Sequence, residues 1–204
     1  MNMGMNLKLK NMKVAVVGLG YVGMPLAVAL AKYGPVQGYD VNKKRVADLK
    51  EGWDSNREIS SAVLRATSCE FTDNIADIAD SQIYIVTVPT PIDDNNDPDL
   101  DIVEKASAAL GRIVKKGDII VYESTVYPGV TEDVCGPIIE RASGLKSGED
   151  FFLGYSPERI NPGDEVHTVE NITKVVAAQN DDVADLLVEL YGQMNGGNIF
   201  KAVD

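Results

Sequence analysis

The chain has 204 residues, 45% of them hydrophobic and 25% charged, which is ordinary for a globular protein with one well-developed core. Its formal net charge of −12 argues against nucleic acid or an anionic membrane surface as a partner. No segment has the apolar length of a membrane span, and the lysine-containing N-terminus lacks the apolar stretch of a signal peptide. We therefore expect a cytoplasmic protein with a flexible tail at residues 1–12 and one domain at 13–204.

Short apolar runs and helical patterns alternate along the chain. The predicted strands are Lys13–Gly18, Val36–Asp40, Cys69–Thr72, Gln82–Val88, Asp118–Tyr122, Phe151–Gly154, Thr173–Ala178 and Asn198–Lys201. The predicted helices are Val22–Tyr33, Lys43–Glu51, Ser60–Ala66, Asn74–Asp80, Leu100–Ile113, Val130–Ala142 and Asp181–Tyr191. Strands separated by helices indicate right-handed βαβ units. We therefore predict an α/β fold in which helices cover both faces of a doubly wound, mostly parallel sheet.

The first strand, the first helix and the second strand carry a pattern that is typical of dinucleotide binding. Gly18, Gly20 and Gly23 form G-x-G-x-x-G between the strand and the helix. The first glycine allows a tight turn, the second lets a pyrophosphate approach the backbone, and the third lets the helix pack closely on the strand. Asp40 ends the second strand about 20 residues further on, where a carboxylate accepts hydrogen bonds from a ribose hydroxyl. The combination predicts a Rossmann fold with a dinucleotide cofactor.

The residues after Asp40 bear on the choice between NAD and NADP. Lys43, Lys44 and Arg45 could attract a 2′-phosphate, but the carboxylate of Asp40 would repel that phosphate at close range. We therefore predict NAD, and we expect no metal site. The single tryptophan, Trp53, is expected to be buried at the sheet edge or in a loop contact rather than to stack on the nucleotide.

Four loops leave the carboxyl ends of predicted strands, and three of them contain proline. The four loops are the glycine loop, Thr87–Asp93, Glu123–Thr131 and Gly154–Asp164. Proline fixes φ and stiffens the three loops that contain it, so that hydroxyl groups and a carboxylate project from rigid positions. In open α/β sheets ligands bind at this edge. We therefore expect the four loops to surround the cofactor and its substrate.

The motifs of these loops together resemble one protein family. They are Gly-Tyr-Val-Gly-Met-Pro-Leu-Ala at 20–27, Thr-Val-Pro-Thr-Pro at 87–91, Glu-Ser-Thr-Val-Tyr-Pro-Gly-Val-Thr at 123–131 and Tyr-Ser-Pro-Glu-Arg-Ile-Asn-Pro-Gly-Asp at 155–164. In this order they are similar to the N-terminal domain of the UDP-glucose/GDP-mannose dehydrogenase family. The last motif resembles the branch that oxidises UDP-N-acetylhexosamines for surface polysaccharides such as capsule and O-antigen. Pro162 stands where UDP-glucose dehydrogenases usually carry a second glutamate.

The resemblance implies a reaction and a set of site residues. Members of the family oxidise a sugar C6 alcohol to a carboxylate with two NAD molecules in turn. A cysteine captures the intermediate aldehyde, a second hydride leaves, and water cleaves the thioester. The implied contacts of NAD are Gly18, Gly20, Tyr21, Val22, Gly23, Asp40, Arg45, Thr90 and Thr125. The implied contacts of the UDP-sugar are Glu158, Arg159, Ile160, Asn161 and Pro162. Two catalytic roles are implied: Glu158 assists water in thioester hydrolysis, and Thr125 orients a catalytic water.

The resemblance also implies that part of the enzyme lies beyond residue 204. The nucleophilic cysteine, a catalytic lysine and asparagine, the central helix and the UDP-binding domain would all follow it. Cys69 and Cys135 lie in no motif and have no histidine or basic neighbour, so we interpret both as reduced structural thiols. We interpret His167, the only histidine, as part of a solvated turn. We expect this chain to bind NAD without oxidising a sugar nucleotide, and the complete enzyme to be a homodimer.

Several alternatives stay open at the level of sequence. The substrate could instead be UDP-glucose or UDP-N-acetylmannosamine, and the sugar epimer does not follow from these residues. A different β-hydroxyacid-type dehydrogenase could share the first domain, although the Ser-Pro-Glu-Arg motif at 156–159 argues against it. A stand-alone NAD-binding sensor module is the alternative from another functional class.

Overall fold

The computed structural model describes residue 9 and residues 12–92, 98–157 and 169–202. The strands are β1 (Val14–Val17), β2 (Val36–Tyr39), β3 (Glu70–Thr72), β4 (Ile83–Val86), β5 (Ile119–Tyr122), β6 (Phe152–Tyr155), β7 (Lys174–Ala178) and β8 (Ile199–Lys201). They form an eight-stranded sheet in the order β3-β2-β1-β4-β5-β6-β7-β8. Neighbouring strands are parallel except β6 and β7, which are antiparallel. The prediction of a mostly parallel sheet is therefore confirmed.

The helices follow the predicted order, with two differences in type. They are α1 (Gly23–Leu30), α2 (Lys43–Lys50), α3 (Ser61–Ala66), α4 (Asp101–Gly111), α5 (Gly136–Ser143) and α6 (Asp181–Asn195). The predicted helix Asn74–Asp80 is a 3-10 turn at Ile75–Ile78. The predicted helix Val130–Ala142 begins as a π-helical segment, Val130–Cys135, that leads into α5. Pro137 lies in the first turn of α5, directly after the π-helical segment.

Two hydrophobic cores lie on opposite faces of the sheet. In β1, Val14 and Val16 belong to the core that includes α1 and α6, whereas Ala15 and Val17 belong to the core that includes α4 and α5. This alternation follows from the period of two along a strand. Every residue of β1, β4 and β5 is buried, as expected for strands covered on both faces. The fold is therefore a doubly wound, Rossmann-type sheet.

The start of α1 differs from the starts of α2 and α6. Asn42 caps α2 by accepting a hydrogen bond from the Arg45 N–H, and Asn180 caps α6 in the same way through the Val183 N–H. Val22 precedes α1 and provides no side-chain cap. Because the first N–H groups of a helix have no partner within the helix, an uncapped start leaves donors for a ligand.

The loops of interest share one edge of the sheet. Strands β1, β4, β5 and β6 are adjacent and parallel, so the loops after them leave from the same edge, as predicted.

Near the N-terminus, within the predicted tail, Leu9 is 7% exposed and packs against the core. Among the described residues, no helix has both the length and the apolar character that crossing a membrane requires.

Candidate functional site

The loop between β1 and α1 contains three glycines that have different structural roles. Gly18 has φ of 97°, a conformation that favours glycine, and a Cβ there would lie 3.2 Å from the Thr87 backbone. At Gly23 a Cβ would lie 1.9 Å from the Gly18 carbonyl oxygen and 2.3 Å from Thr87 Oγ1. At Gly20 a Cβ would meet nothing within 4 Å. Gly18 and Gly23 therefore allow close packing, whereas Gly20 faces open space that a ligand can fill.

Asp40 connects the end of β2 with the glycine loop. Its Oδ2 accepts a hydrogen bond from the Leu19 N–H at 2.8 Å, and its Oδ1 accepts one from the Asn42 N–H at 2.8 Å. An ionised carboxylate has about four acceptor positions, so two remain for hydroxyl groups of a ligand. Burial, followed by the charge of Asp40, raises the pKa of Tyr39. The carboxylate thus holds the loop and still faces the space beside it.

Arg45 lies behind the glycine loop, where it acts on the backbone. Its side chain is only 7% exposed, and Nε donates a hydrogen bond to the Leu19 carbonyl oxygen at 2.9 Å. Nη1 forms a buried ion pair with Asp54 Oδ1 at 2.6 Å. By contrast, the side chain of Lys44 is 82% exposed. Arg45 therefore supports the loop from within the protein, and it does not line the groove described next.

A groove crosses the glycine loop at the carboxyl edge of the sheet. Its first part, the Asp40 half, has a volume of about 510 Å³ and is lined by residues that include Gly18, Asp40, Ile75, Val88, Ile102 and Ala106. Its second part, the Thr125 half, has a volume of about 590 Å³ and is lined by Tyr21, Val22, Asn56, Thr90, Glu123, Ser124 and Thr125 among others. Both halves are lined by Gly20, Thr87, Val88 and Pro89, so they adjoin at these residues.

The loops after β4 and β5 are joined by side-chain hydrogen bonds in the Thr125 half. Thr90 Oγ1 donates to the Thr125 carbonyl oxygen at 2.5 Å. Ser124 Oγ donates to the Val88 carbonyl oxygen at 2.6 Å. The Thr90 hydroxyl therefore fixes the backbone of Thr125. The side chain of Thr125 is exposed and lines the groove. The structure brings together the predicted cofactor residues except Arg45 and Gly23, which lie behind the groove surface.

A buried charged cluster supports the same half of the groove, and sequence reasoning missed it. Glu123 Oε2 and Lys174 Nζ are 2.6 Å apart, and neither side chain has exposed surface. Tyr191 donates its hydroxyl hydrogen to Glu123 Oε1 at 2.5 Å, and Lys174 Nζ lies 5.1 Å from the centroid of the Tyr191 ring. Glu123 borders the groove, but its carboxylate is buried, so the cluster anchors the loop after β5 that carries Thr125.

Neither cysteine lies at the groove. Cys69 and Cys135 are free and buried, and burial raises the pKa of both thiols, that of Cys69 to about 12. A thiol with a raised pKa is a poor nucleophile because the thiolate is the reactive form. Trp53 is 54% exposed, so its expected burial is wrong. It follows Gly52, which has φ of 82°, just after the end of α2.

The remaining predicted site residues lie outside the described part of the chain. They are Glu158, Arg159, Ile160, Asn161 and Pro162, together with His167. Their catalytic and substrate-binding roles stay predictions. Among the residues that are described, no group of three or more His, Cys, Asp or Glu side chains is placed to hold a metal ion.

The fold and the groove define a dinucleotide-binding domain. Its features are an open parallel sheet, a glycine loop before an uncapped helix, and an acid at the end of β2. Residues 12–195 match the UDP-glucose/GDP-mannose dehydrogenase family, NAD binding domain. The chain belongs to this family and forms its NAD-binding domain.

Individual relatives agree with this assignment. The chain is 50% identical over 195 residues to a UDP-N-acetyl-D-glucosamine 6-dehydrogenase of Pseudomonas aeruginosa, covering 95% of this chain and 46% of the relative. It is 47% identical over 192 residues to Protein CapL of Staphylococcus aureus, covering 94% and 45%. The solved structure of a UDP-D-ManNAc dehydrogenase from Pyrococcus horikoshii matches with a TM-score of 0.85 and 31% identity, covering 94% and 47%. The chain thus spans about half the length of the relatives it matches.

Proposed function

We propose that this chain holds NAD above Gly20 for an enzyme that oxidises the C6 alcohol of a UDP-N-acetylhexosamine to the uronate in two NAD-dependent steps. The observation that carries the proposal is the groove, which is open at Gly20, bounded by Asp40 at one end and by Thr125 at the other. NAD, when bound, accepts the hydride that leaves the sugar carbon.

The Asp40 half fits the adenosine end of NAD. The carboxylate of Asp40 has acceptor positions left for the ribose hydroxyls, and Val88, Ile102 and Ala106 offer apolar surface to the base. The uncapped N–H groups at the start of α1 would bind the pyrophosphate, whose negative charge the helix dipole also favours. Backbone donors suit this chain because its net charge of −12 gives a phosphate little general attraction.

The Thr125 half would receive the nicotinamide and the reacting carbon of the sugar. In this proposal the hydroxyl of Thr125 orients a catalytic water, and Thr90 keeps the Thr125 backbone in place. Glu158 would act as the general base in thioester hydrolysis, a role that contributes about 10²–10⁴-fold in other enzymes. Arg159, Ile160, Asn161 and Pro162 would contact the UDP-sugar beside it.

UDP-N-acetylglucosamine or UDP-N-acetylgalactosamine is favoured over UDP-N-acetylmannosamine and UDP-glucose. The relative that is named a UDP-N-acetyl-D-glucosamine 6-dehydrogenase is 50% identical to this chain, whereas the UDP-D-ManNAc dehydrogenase structure is 31% identical. Pro162, in place of a second glutamate, argues against UDP-glucose. We further propose that the whole enzyme is a cytoplasmic homodimer that supplies a uronate for capsule or O-antigen polysaccharide and has no nucleic-acid or membrane partner.

Two experiments test the proposal. Calorimetric titration of the 204-residue chain with NAD is expected to show one saturable site, and the absence of binding would refute the cofactor assignment. The whole gene product is then assayed for NADH formation with UDP-N-acetylglucosamine, UDP-N-acetylgalactosamine, UDP-N-acetylmannosamine and UDP-glucose. We expect the first two to be preferred. Because neither cysteine of this chain lies at the groove, the 204-residue chain alone is expected to form no NADH from these sugars.

A further inference from the structure

The turn at Asp54–Ile59 forms part of the groove although it follows no strand. Asn56 belongs to this turn and lines the Thr125 half together with Gly20, Tyr21 and Val22. It therefore borders the same part of the groove as the start of α1. Sequence reasoning missed Asn56 because a polar turn after a helix usually has no function beyond ending that helix.

The position of Asn56 is set by the buried carboxylate of Asp54. Oδ1 accepts hydrogen bonds from the Asn56 N–H at 3.0 Å and from Arg45 Nη1 at 2.6 Å. Oδ2 accepts from the N–H groups of Glu58 and Ile59, both at 2.9 Å. Since Arg45 also donates to the Leu19 carbonyl oxygen, one chain of hydrogen bonds links the glycine loop to this turn.

The turn is also held in an unfavourable backbone conformation. Arg57 has φ of 62°, and it is the only residue other than glycine with positive φ in the described part of the chain. Such strain persists where surrounding contacts over-determine it, and it concentrates at ligand-binding segments. The Asp54 carboxylate supplies those contacts here.

The chemistry of this half of the groove calls for a neutral donor. Among the described residues that line it, none is basic, and the Asn56 amide makes no hydrogen bond to the described part of the chain. Resting on the proposed function, we propose that Asn56 Nδ2 donates a hydrogen bond to the dinucleotide on the nicotinamide side, at the pyrophosphate or the adjoining ribose. Arg45 and Asp54 position it and thereby couple it to the glycine loop.

Calorimetric titration with NAD, ADP-ribose and AMP tests this inference on the 204-residue chain. Asn56→Ala removes one neutral hydrogen bond, so NAD and ADP-ribose are expected to bind about threefold to tenfold more weakly and by the same factor. AMP lacks the groups beyond the first phosphate, so its affinity is expected to stay within about twofold. Unchanged NAD affinity, or an equal loss for AMP, would overturn the assignment.

A charge variant sharpens the test. Asn56→Asp places a carboxylate near the pyrophosphate, so it is expected to weaken NAD more than Asn56→Ala does, with a loss that shrinks as salt is added. Gln193→Glu is the matched control because it adds the same charge at an exposed position of α6 outside the groove lining. Equal losses in the two charge variants would contradict a local contact. Failure of the unmodified chain to bind NAD would refute the proposed function instead, so the two failures are distinguishable.

Discussion

Asp40 accepts a hydrogen bond from the backbone N–H of Leu19 at 2.8 Å, so the acid at the end of β2 also fixes the loop between β1 and α1. Arg45 binds the carbonyl oxygen of the same residue at 2.9 Å. Both polar groups of Leu19 are therefore held by side chains from outside the loop, while the Leu19 side chain is fully buried. These contacts fix the backbone conformation next to Gly20 in the absence of a ligand, which reduces the conformational entropy that is lost on binding.

Asp40→Ala is expected to reduce the preference of the chain for NAD over NADP. Loss of a charged acceptor to the ribose costs about 1.5–3 kcal/mol, so NAD should bind roughly ten- to a hundredfold more weakly. NADP should lose less, because the carboxylate that repels its 2′-phosphate is also gone. Titration with both nucleotides measures the change, with Asp185→Ala on the exposed face of α6 as the control. Equal losses for the two nucleotides would count against the ribose contact.

Substituting alanine at three glycines should separate binding from folding. Gly20→Ala adds a methyl group in open space, so stability should be preserved while NAD affinity falls about fivefold to 150-fold, as overpacking of 1–3 kcal/mol implies. Gly23→Ala forces a Cβ to within 1.9 Å of a carbonyl oxygen, so it should destabilise the fold by at least that amount. Gly34→Ala, which also meets open space but lies away from the groove, should change neither property.

Thermal unfolding and NAD titration on the same three variants decide the outcome. If NAD crosses the groove at Gly20, the Gly20→Ala variant should unfold at an unchanged temperature and bind NAD more weakly. A Gly20→Ala variant that binds NAD as well as the unmodified chain would mean that the cofactor does not cross the groove at this point.

The local features of the site could be predicted from sequence, whereas its long-range contacts could not. The three glycines and Asp40 stand at fixed spacings within one βαβ unit, so their positions follow from that unit alone. Arg45 turns toward the interior because it pairs with Asp54, a residue in the next turn of the chain. The Asp54 carboxylate is held in place by hydrogen bonds from backbone N–H groups of that turn. The family resemblance implied a contact of Arg45 with NAD, although its guanidinium faces the protein interior.

The Glu123–Lys174 pair shows the same limit over a greater distance. The two residues are 51 positions apart, and they meet only because β7 lies beside β6 in the sheet. No local pattern distinguishes Lys174 from an ordinary lysine at the start of a strand. The antiparallel direction of β7 is likewise set by tertiary packing, since strand periodicity is the same in both directions.

Breaking the Glu123–Lys174 pair on one side should be costly. Lys174→Met removes the cation that pairs with the buried Glu123 carboxylate, and the loss of one partner of a buried pair typically costs about 3–5 kcal/mol of unfolding free energy. Adding Glu123→Gln removes the remaining charge, so the double variant should be more stable than Lys174→Met alone. Urea unfolding measures the difference. Lys44→Met, whose pair with Asp48 is exposed, is the control and should change stability by less than about 0.5 kcal/mol.

The buried thiol of Cys69 should make the protein less stable at high pH. Burial raises the pKa of Cys69 from 9.0 to about 12, so the folded protein keeps its proton where the unfolded chain loses it. The unfolded state then binds fewer protons than the folded state, and the free energy of unfolding falls as pH rises. The stabilising contribution is complete below about pH 9 and is lost progressively between there and about pH 12. Near the middle of that range the loss amounts to about 2 kcal/mol.

Comparison with Cys69→Ala isolates this effect, because the other titrating groups are shared by both proteins. Urea unfolding at mildly alkaline pH and again midway between 9.0 and about 12 is expected to show a smaller decline for the variant than for the unmodified chain. Cys135→Ala offers a second comparison, since burial raises the pKa of that thiol as well. Parallel declines in Cys69→Ala and the unmodified chain would show that Cys69 ionises equally in both states. Its thiol would then be available as a nucleophile, contrary to the structural role argued from its burial.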